Sequence, residues 1–341
     1  MLLVILGAGA SYDSAPSRPI TNGNYQSMVN RPPLANQLFD DRNYFGDIMN
    51  KYPQCLPVIP RLRHISSGSS VEKELQRLQS EATNYPDRLR QLAAIRYYLQ
   101  EVLSDLPNVW LKETHSVTNY LVLVDHIQQW KQPTERVCIV TFNYDTLLDK
   151  ALEHFGYVLR DLMSYIQNDL LLIKIHGSVN WGRFSSAPIN LVGTRQEIAE
   201  RMIDAYAPEF IMKEFVMIGE SPPAVRDSRP VFPALAIPVE SKLDFECPPN
   251  HVEALKLFLP AVTKVLIIGW RATEKPFLDL LSERVKMVDL VTVVNGDKSR
   301  GDAAADNLRS ARLLASCYHT FDGGFTEFFG SGAADPFFGL S

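Results

Sequence analysis

Five short, largely apolar runs punctuate the chain, and each ends on a glycine, an amide or an ionisable residue. Val4-Ile5-Leu6 is followed by Gly7, and Ile139-Val140-Thr141-Phe142 by Asn143 and Asp145. Leu172-Ile173-Lys174-Ile175 is followed by His176 and Gly177, Leu266-Ile267-Ile268 by Gly269, and Val293-Val294 by Asn295 and Asp297. Runs of this kind read as strands buried on both faces, which is the habit of a parallel sheet. Helical stretches alternate with most of them, so the fold class is α/β: a doubly wound, parallel, Rossmann-like sheet with right-handed crossovers. Ligands of such sheets bind at the carboxyl ends of the strands, where the strand order reverses. Each residue alone has a plain structural explanation. Asn143 or Asp145 would cap a helix, Asn295 and Asp297 would make a turn, and His176 would be a hydrogen-bonded core histidine. Five strand ends of this character together point to a site.

The first run, Met1 to Leu6, leads directly into Gly7-Ala8-Gly9-Ala10-Ser11. Two glycines one residue apart let the backbone turn tightly and approach a phosphate, at a point where a helix can start after Gly9. The third glycine of the dinucleotide fingerprint is missing, because Tyr12 stands in its place, and the same spacing closes ordinary strand ends.

With 341 residues the chain has material for one large domain or two smaller ones. A net charge of −5 gives no basic footprint for nucleic acid. Cys55, Cys138, Cys247 and Cys317 lie far apart, without a C-x-x-C pair, which speaks against a zinc ribbon or a disulfide framework and fits a reducing cytosol. The first apolar run is too short for a signal peptide or a membrane helix, so a soluble, cytoplasmic protein is expected. The expected organisation is one domain over 1–341, with a mainly helical insertion at 34–130 and a loop-rich segment at 177–249. Ser14 to Pro33 reads as an irregular loop. Ser70 caps a helix that presents Leu75 and Leu78, and Pro86-Asp87 breaks it. Leu89, Leu92, Ile95, Leu99 and Val102, then Val117, Leu121, Val124 and Ile127, repeat at helical spacing from Arg88 to Leu103 and from Ser116 to Trp130. Further helices are expected over Tyr144–Phe155, Arg195–Ala205, from His251, Lys275–Val285 and Asp302–Leu314. In the loop-rich segment one strand is expected near Pro233–Val239, and Pro222, Pro223, Pro230 and Pro233 indicate loops and edges. The apolar tail, with Phe337 and Phe338, would pack on its own domain or dock on a neighbouring chain.

Gly7-Ala8-Gly9-Ala10-Ser11, Thr141-Phe142-Asn143-Tyr144-Asp145 and Ile175-His176-Gly177, in that order, resemble the three sequential motifs of the sirtuin family. Gly269 and Asn295 resemble its two later nucleotide-contacting positions. The resemblance spans most of the chain, with the helical region inserted between the first two motifs. It implies a sirtuin-like fold that binds NAD. Gly7, Ala8, Gly9, Ala10 and Ser11 would cradle the phosphates, Asn143 and Asp145 would face the nicotinamide ribose, and His176 would act as base. Three departures stand out. The four-cysteine zinc module of deacylating sirtuins is absent, since that interval holds only Cys247, and no metal is expected. Phe142 replaces the usual glutamine, and Tyr12-Asp13-Ser14 replaces the Pro-Asp-Phe-Arg loop. With these departures the sequence is similar to the bacterial sirtuin-like branch of antiphage defence systems, whose members resemble NAD hydrolases controlled by a second protein or domain.

The resemblance therefore implies an enzyme: an NAD glycohydrolase that releases nicotinamide and ADP-ribose as the toxic effector of a defence system. The chemistry is compatible with these residues. Nicotinamide leaves from an oxocarbenium-like centre, so the protein has chiefly to position the ribose and present a water. Asn143 can donate to and accept from a ribose hydroxyl or the water, and the ordinary imidazole pKa suits His176 to act as base. Asp145 would orient Asn143, bind the ribose or simply cap a helix. A homo-oligomer is expected, as is a separately encoded activator such as a ring-forming translocase-type ATPase or, alternatively, a short Argonaute. The competing readings are a protein deacylase or ADP-ribosyltransferase on the same scaffold, and a non-catalytic NAD- or ADP-ribose-binding subunit. A dehydrogenase fits least, because no acidic residue is well placed after a second strand to meet the adenosine ribose, and Asp40-Asp41 stands in the wrong context.

Overall fold

The computed structural model describes residues 1–18, 30–65, 69–219, 224–238 and 245–340. Pro222, Pro223, Val239, residues 19–29 of the anticipated loop and Ser341 of the tail lie outside them. The chain divides into two compact units. The first comprises Met1–Pro32, Pro107–Ile175 and Pro249–Ser341, and the second Pro33–Leu106 and His176–Pro248. The helical stretch expected at 34–130 is thus shared between them at Pro107, and most of 177–249 lies in the second.

The first unit is built on a six-stranded sheet, parallel throughout. Its strands are β1 (Leu2–Leu6), β2 (Val137–Thr141), β3 (Leu170–Lys174), β8 (Lys264–Ile268), β9 (Met287–Val294) and β10 (Leu314–Phe321). Their order is β10-β9-β8-β1-β2-β3, so the direction of winding reverses between β1 and β8. This is the doubly wound architecture, with its switch point beside the glycine turn that follows Leu6. All five side chains of β1 have no exposed surface, and full burial stabilises by about 1.5–3 kcal/mol for each large aliphatic side chain. Register fixes the turn: Leu6 lies beside Thr141 on one flank and Ile268 on the other, so Gly7, Phe142 and Gly269 leave the sheet at one level.

The helices of this unit include α1 (Ala8–Tyr12), α6 (Asn119–Trp130), α7 (Leu147–His154), α9 (Pro249–Phe258), α10 (Lys275–Arg284), α11 (Lys298–Ser310), α12 (Gly324–Gly330) and α13 (Asp335–Phe338). Helix α11 starts four residues earlier than expected because Asp297 caps it, its carboxylate accepting from Arg300 N–H (3.1 Å). Leu314 opens β10, which the sequence did not reveal. As an edge strand, β10 is exposed along most of its length and carries no apolar alternation. The tail packs on its own unit: Phe337 and Phe338 are buried, and the His126 ring meets Phe329 and Phe338 at 4.8 and 5.5 Å.

The second unit carries α2 (Asn43–Lys51), α3 (Ile59–Arg63), α4 (Val71–Glu81), α8 (Arg195–Asp204) and a four-stranded antiparallel sheet. Ser70 caps α4 as expected, accepting from Lys73 N–H (3.1 Å). Helix α5 (Asp87–Glu113) gives residues to both units. It continues ten residues beyond the anticipated end and through Pro107, where a helix would ordinarily kink or stop. The buried Trp110 anchors that extension, donating to Ser14 Oγ (3.0 Å). Where loops and a single strand were expected, the second unit has β4 (Gly177–Ser185), β5 (Ile211–Met217), β6 (Val225–Arg226) and β7 (Arg229–Leu235), in the order β5-β4-β7-β6. Pro233 fits inside β7 because the β4–β7 register shifts next to it. Arg96, Tyr97 and Gln100 of α5 donate to the carbonyls of Leu235, Val231 and Val179. These bonds tie the helix to the sheet.

Candidate active site

The glycine turn is held by the strand end next to it. Gly7 N–H donates to Ile268 O (3.0 Å), Gly9 N–H to Gly269 O (3.1 Å) and Ala10 N–H to Gly7 O (2.9 Å). A Cβ on Gly7 would stand 2.5 Å from Gly269 O, and one on Gly9 would stand 2.8 Å from Gly269 Cα. Gly269 has φ +63°, and a Cβ there would lie 2.4 Å from Ala10 N. The three glycines therefore interlock, backbone against backbone. At Gly7 and Gly9 the missing side chain makes room for the backbone of Gly269. Helix α1 begins at Ala8 rather than after Gly9 and lasts little more than one turn, so its dipole is small.

Around this turn, Ser11, Asn143 and Asp145 come together as the sequence anticipated. Asn143 Nδ2 donates to Gly7 O (2.9 Å), Ser11 Oγ (2.9 Å) and Tyr120 Oη (3.2 Å). Because a carbonyl only accepts, the bond to Gly7 fixes which end of the amide is nitrogen. Ser11 Oγ donates to Asp145 Oδ2 (2.7 Å), and Asp145 Oδ1 accepts from Leu147 N–H (3.0 Å). Asp145 thus both caps α7 and holds Ser11. Burial pushes its carboxyl pKa up, against the bond from Ser11 and the Lys174 charge.

Two members of this region were not legible as site residues. Tyr120 stands in α6 and was hidden in an apolar helical pattern; its hydroxyl lies 2.8 Å from Ser11 Oγ. Lys174, with no exposed surface, ends β3 and donates to Asp145 O (2.6 Å) and Asp149 Oδ2 (2.9 Å). Tyr165 donates to the other oxygen of Asp149 (2.6 Å). The signal for Lys174 was a charge inside a buried strand, a position that requires a partner. Asp13 supports the turn from the far side: it accepts from Thr326 N–H (3.0 Å) and Thr326 Oγ1 (2.7 Å) and so holds the start of α12. Phe142, in the glutamine position of the motif, stacks on Trp270 at 4.9 Å and 13°.

Of the remaining predicted residues, Gly269 belongs to the turn just described. Asn295 follows β9 with its side chain partly exposed, and its backbone bonds to Phe321 O and Gly324 N–H (both 2.9 Å). Asp297 is a helix cap. His176 is buried and belongs to the second unit, where its carbonyl accepts from Ala236 N–H (2.9 Å). Among the described residues, no group of three or more His, Cys, Asp or Glu is arranged to hold a metal ion, and no helix is long and apolar enough to cross a membrane.

Chemically, the cluster offers an oriented amide, a hydroxyl tied to a carboxylate and a buried phenol at the carboxyl edge of the sheet. Among the described residues the Asn143 side chain bonds through Nδ2, which leaves Oδ1 to accept from a bound hydroxyl or water. No family model matches the chain, and no curated protein matches it. Among solved structures it is similar to a Sir2 homologue mutant in complex with 2′-O-acetyl ADP ribose, with TM-score 0.39, 12% identity and 91% of each chain covered. It is also similar to a Sir2 homologue mutant in complex with ADP ribose (TM-score 0.37, 13% identity, 91% of each chain covered). A third is Sir2 with a p53 peptide and NAD+ (TM-score 0.36, 13% identity, 100% of this chain and 94% of that one covered).

Proposed function

We propose that the protein is an NAD glycohydrolase, sirtuin-like in its motifs, that acts in the bacterial cytoplasm as the toxic effector of an antiphage defence system. The observation that carries this reading is the oriented Asn143 amide, held by Gly7, Ser11 and Tyr120 at the switch point of a doubly wound sheet. Crevices at such switch points are where nucleotides bind. In the reaction, the bond between ribose C1′ and the nicotinamide nitrogen breaks, and its electron pair neutralises the pyridinium ring. Water bonds to C1′ and its proton passes to His176, the base implied by the motif resemblance. Asn143 Oδ1 accepts from the water or from a ribose hydroxyl, and Asp145 holds Ser11 in place. Ala8 and Ala10 line the phosphate side of the turn, with Gly269 and Asn295 towards the rest of the nucleotide. A homo-oligomer and a separately encoded activator, a ring-forming translocase-type ATPase or a short Argonaute, complete the reading.

A second reading, a non-catalytic NAD- or ADP-ribose-binding subunit, is favoured by the same network: Nδ2 of Asn143 and the N–H groups of Gly9 and Ala10 already have partners in the chain. Turnover in water enriched with oxygen-18 separates the alternatives. Hydrolysis places one labelled oxygen on C1′ of free ADP-ribose without any peptide. A deacylase or ADP-ribosyltransferase instead needs an acceptor and gives an acylated or protein-bound product. A binding subunit retains ADP-ribose and leaves NAD whole.

A further inference from the structure

We propose that Tyr120 is a positioning residue, which fixes Ser11 and the Asn143 amide in the one arrangement that reserves Asn143 Oδ1 for substrate. The inference rests on the reading of Asn143 given above. It follows from counting protons. Ser11 has one, and Asp145 as a carboxylate can only accept, so that proton lies in the 2.7 Å bond to Asp145 Oδ2. The 2.8 Å contact between Ser11 Oγ and Tyr120 Oη must then use the proton of the phenol. Asn143 Nδ2 has two hydrogens for three acceptors, Gly7 O and Ser11 Oγ at 2.9 Å each and the tyrosine oxygen at 3.2 Å, so the tyrosine oxygen accepts through a hydrogen shared with one of the other two. Turning the amide over would set Oδ1 against the Gly7 carbonyl, acceptor facing acceptor, and leave the phenol oxygen without its donor.

Tyr120 is itself held in place. It is almost completely buried, with its ring edge-on to Phe325 at 5.5 Å. The preceding residue pins the same turn of α6: Asn119 Nδ2 donates to Asp13 O (2.7 Å) and Thr326 Oγ1 (2.8 Å), and Asn119 N–H to Ser14 O (2.7 Å). Burial and the neighbouring Asp145 charge push the phenol pKa up, so the proton that orients Ser11 stays in place throughout the physiological range. A phenylalanine would occupy the ring's volume equally well, so the hydroxyl is spent on the polar cluster rather than on packing.

The test is Tyr120→Phe, with Ser11→Ala and the double variant for comparison. The expected result is a fall in kcat for NAD of roughly ten- to a hundredfold, with KM changed less than about threefold and the thermal midpoint nearly that of the wild type. The double variant should lose much less than the product of the two single losses, because both substitutions act on the same amide. An unchanged kcat would overturn the proposal, as would a parallel loss of kcat, affinity and thermal midpoint, which would make Tyr120 a packing residue. Hydrogen exchange of the Asn143 side-chain amide, with its NMR signals assigned by their loss in Asn143→Asp, reads the positioning without any turnover. It should quicken at least about tenfold in Tyr120→Phe, and unchanged exchange overturns the proposal. If the wild type leaves NAD intact, the hydrolase reading fails, and this exchange measurement alone decides the role of Tyr120.

Discussion

At Lys174 a full positive charge lies without exposed surface at the last position of β3, against Asp149 Oδ2 and the carbonyl of Asp145. Taking one partner away strands the other charge in a dry interior. Lys174→Met should therefore lower stability by roughly 3–5 kcal/mol, and Lys174→Met with Asp149→Leu should recover most of that loss. Denaturant unfolding checks this, and a single variant as stable as the wild type would contradict it. Legibility at this scale depended on position within an element. Ser11, Asn143 and Asp145 could be read because they stand just past apolar runs, where a polar residue has no packing reason to be. Tyr120 and Lys174 could not, because each sits inside an apolar pattern that accounts for it as core. The proton count and the ion pair that give them roles exist only once distant segments are brought together.

Between elements, the turns after β1 and β8 are packed backbone against backbone. Gly269→Ala would impose a side chain at φ +63° and place its Cβ 2.4 Å from Ala10 N. A left-handed conformation costs about 1–2 kcal/mol and overpacking about 1–3 more, so the thermal midpoint should drop by several degrees. An unchanged midpoint would show that the turns are not interlocked. In the second unit, Glu81 at the end of α4 accepts from Arg61 (2.9 and 3.1 Å) and from Arg88 (2.8 Å). These bonds, led by Arg61, hold its carboxyl at about 2. A depressed carboxylate contributes stability above its unfolded pKa and loses it as pH falls through the folded value. Glu81→Gln should thus cost about 1 kcal/mol at neutral pH, a figure reduced by solvent screening, and the difference from the wild type should close as pH falls from about 4.5 towards 2. A gap independent of pH would contradict it. Element identity was legible wherever burial on both faces left an apolar run, as in β1, β2, β3 and β8. It failed at β10, which is exposed along an edge, and at β4, β5 and β6, while β7 begins four residues before the strand expected near Pro233–Val239. The extension of α5 through Pro107 was likewise set by tertiary anchoring at Trp110, which local propensity does not carry.

For the molecule as a whole, the parallel α/β class followed from the alternation of runs and helices. The strand order could be known only from the structure, because crossovers between distant segments decide it. That order is what turns scattered strand ends into a candidate site, since the reversal between β1 and β8 sets the glycine turn, Asn143 and Gly269 at one edge. The division of the chain into two units was also beyond local pattern: the second is assembled from two stretches that 69 residues of the first, Pro107–Ile175, separate in sequence. Cleavage of NAD at this edge is measured directly by chromatography of NAD incubated with wild type, Asn143→Ala and His176→Ala, each alone and beside the proteins encoded next to it. The wild type should give nicotinamide and ADP-ribose in equal amounts, with a loss of at least about a hundredfold in either variant. NAD left intact under every condition, or cleaved equally by Asn143→Ala, would contradict it.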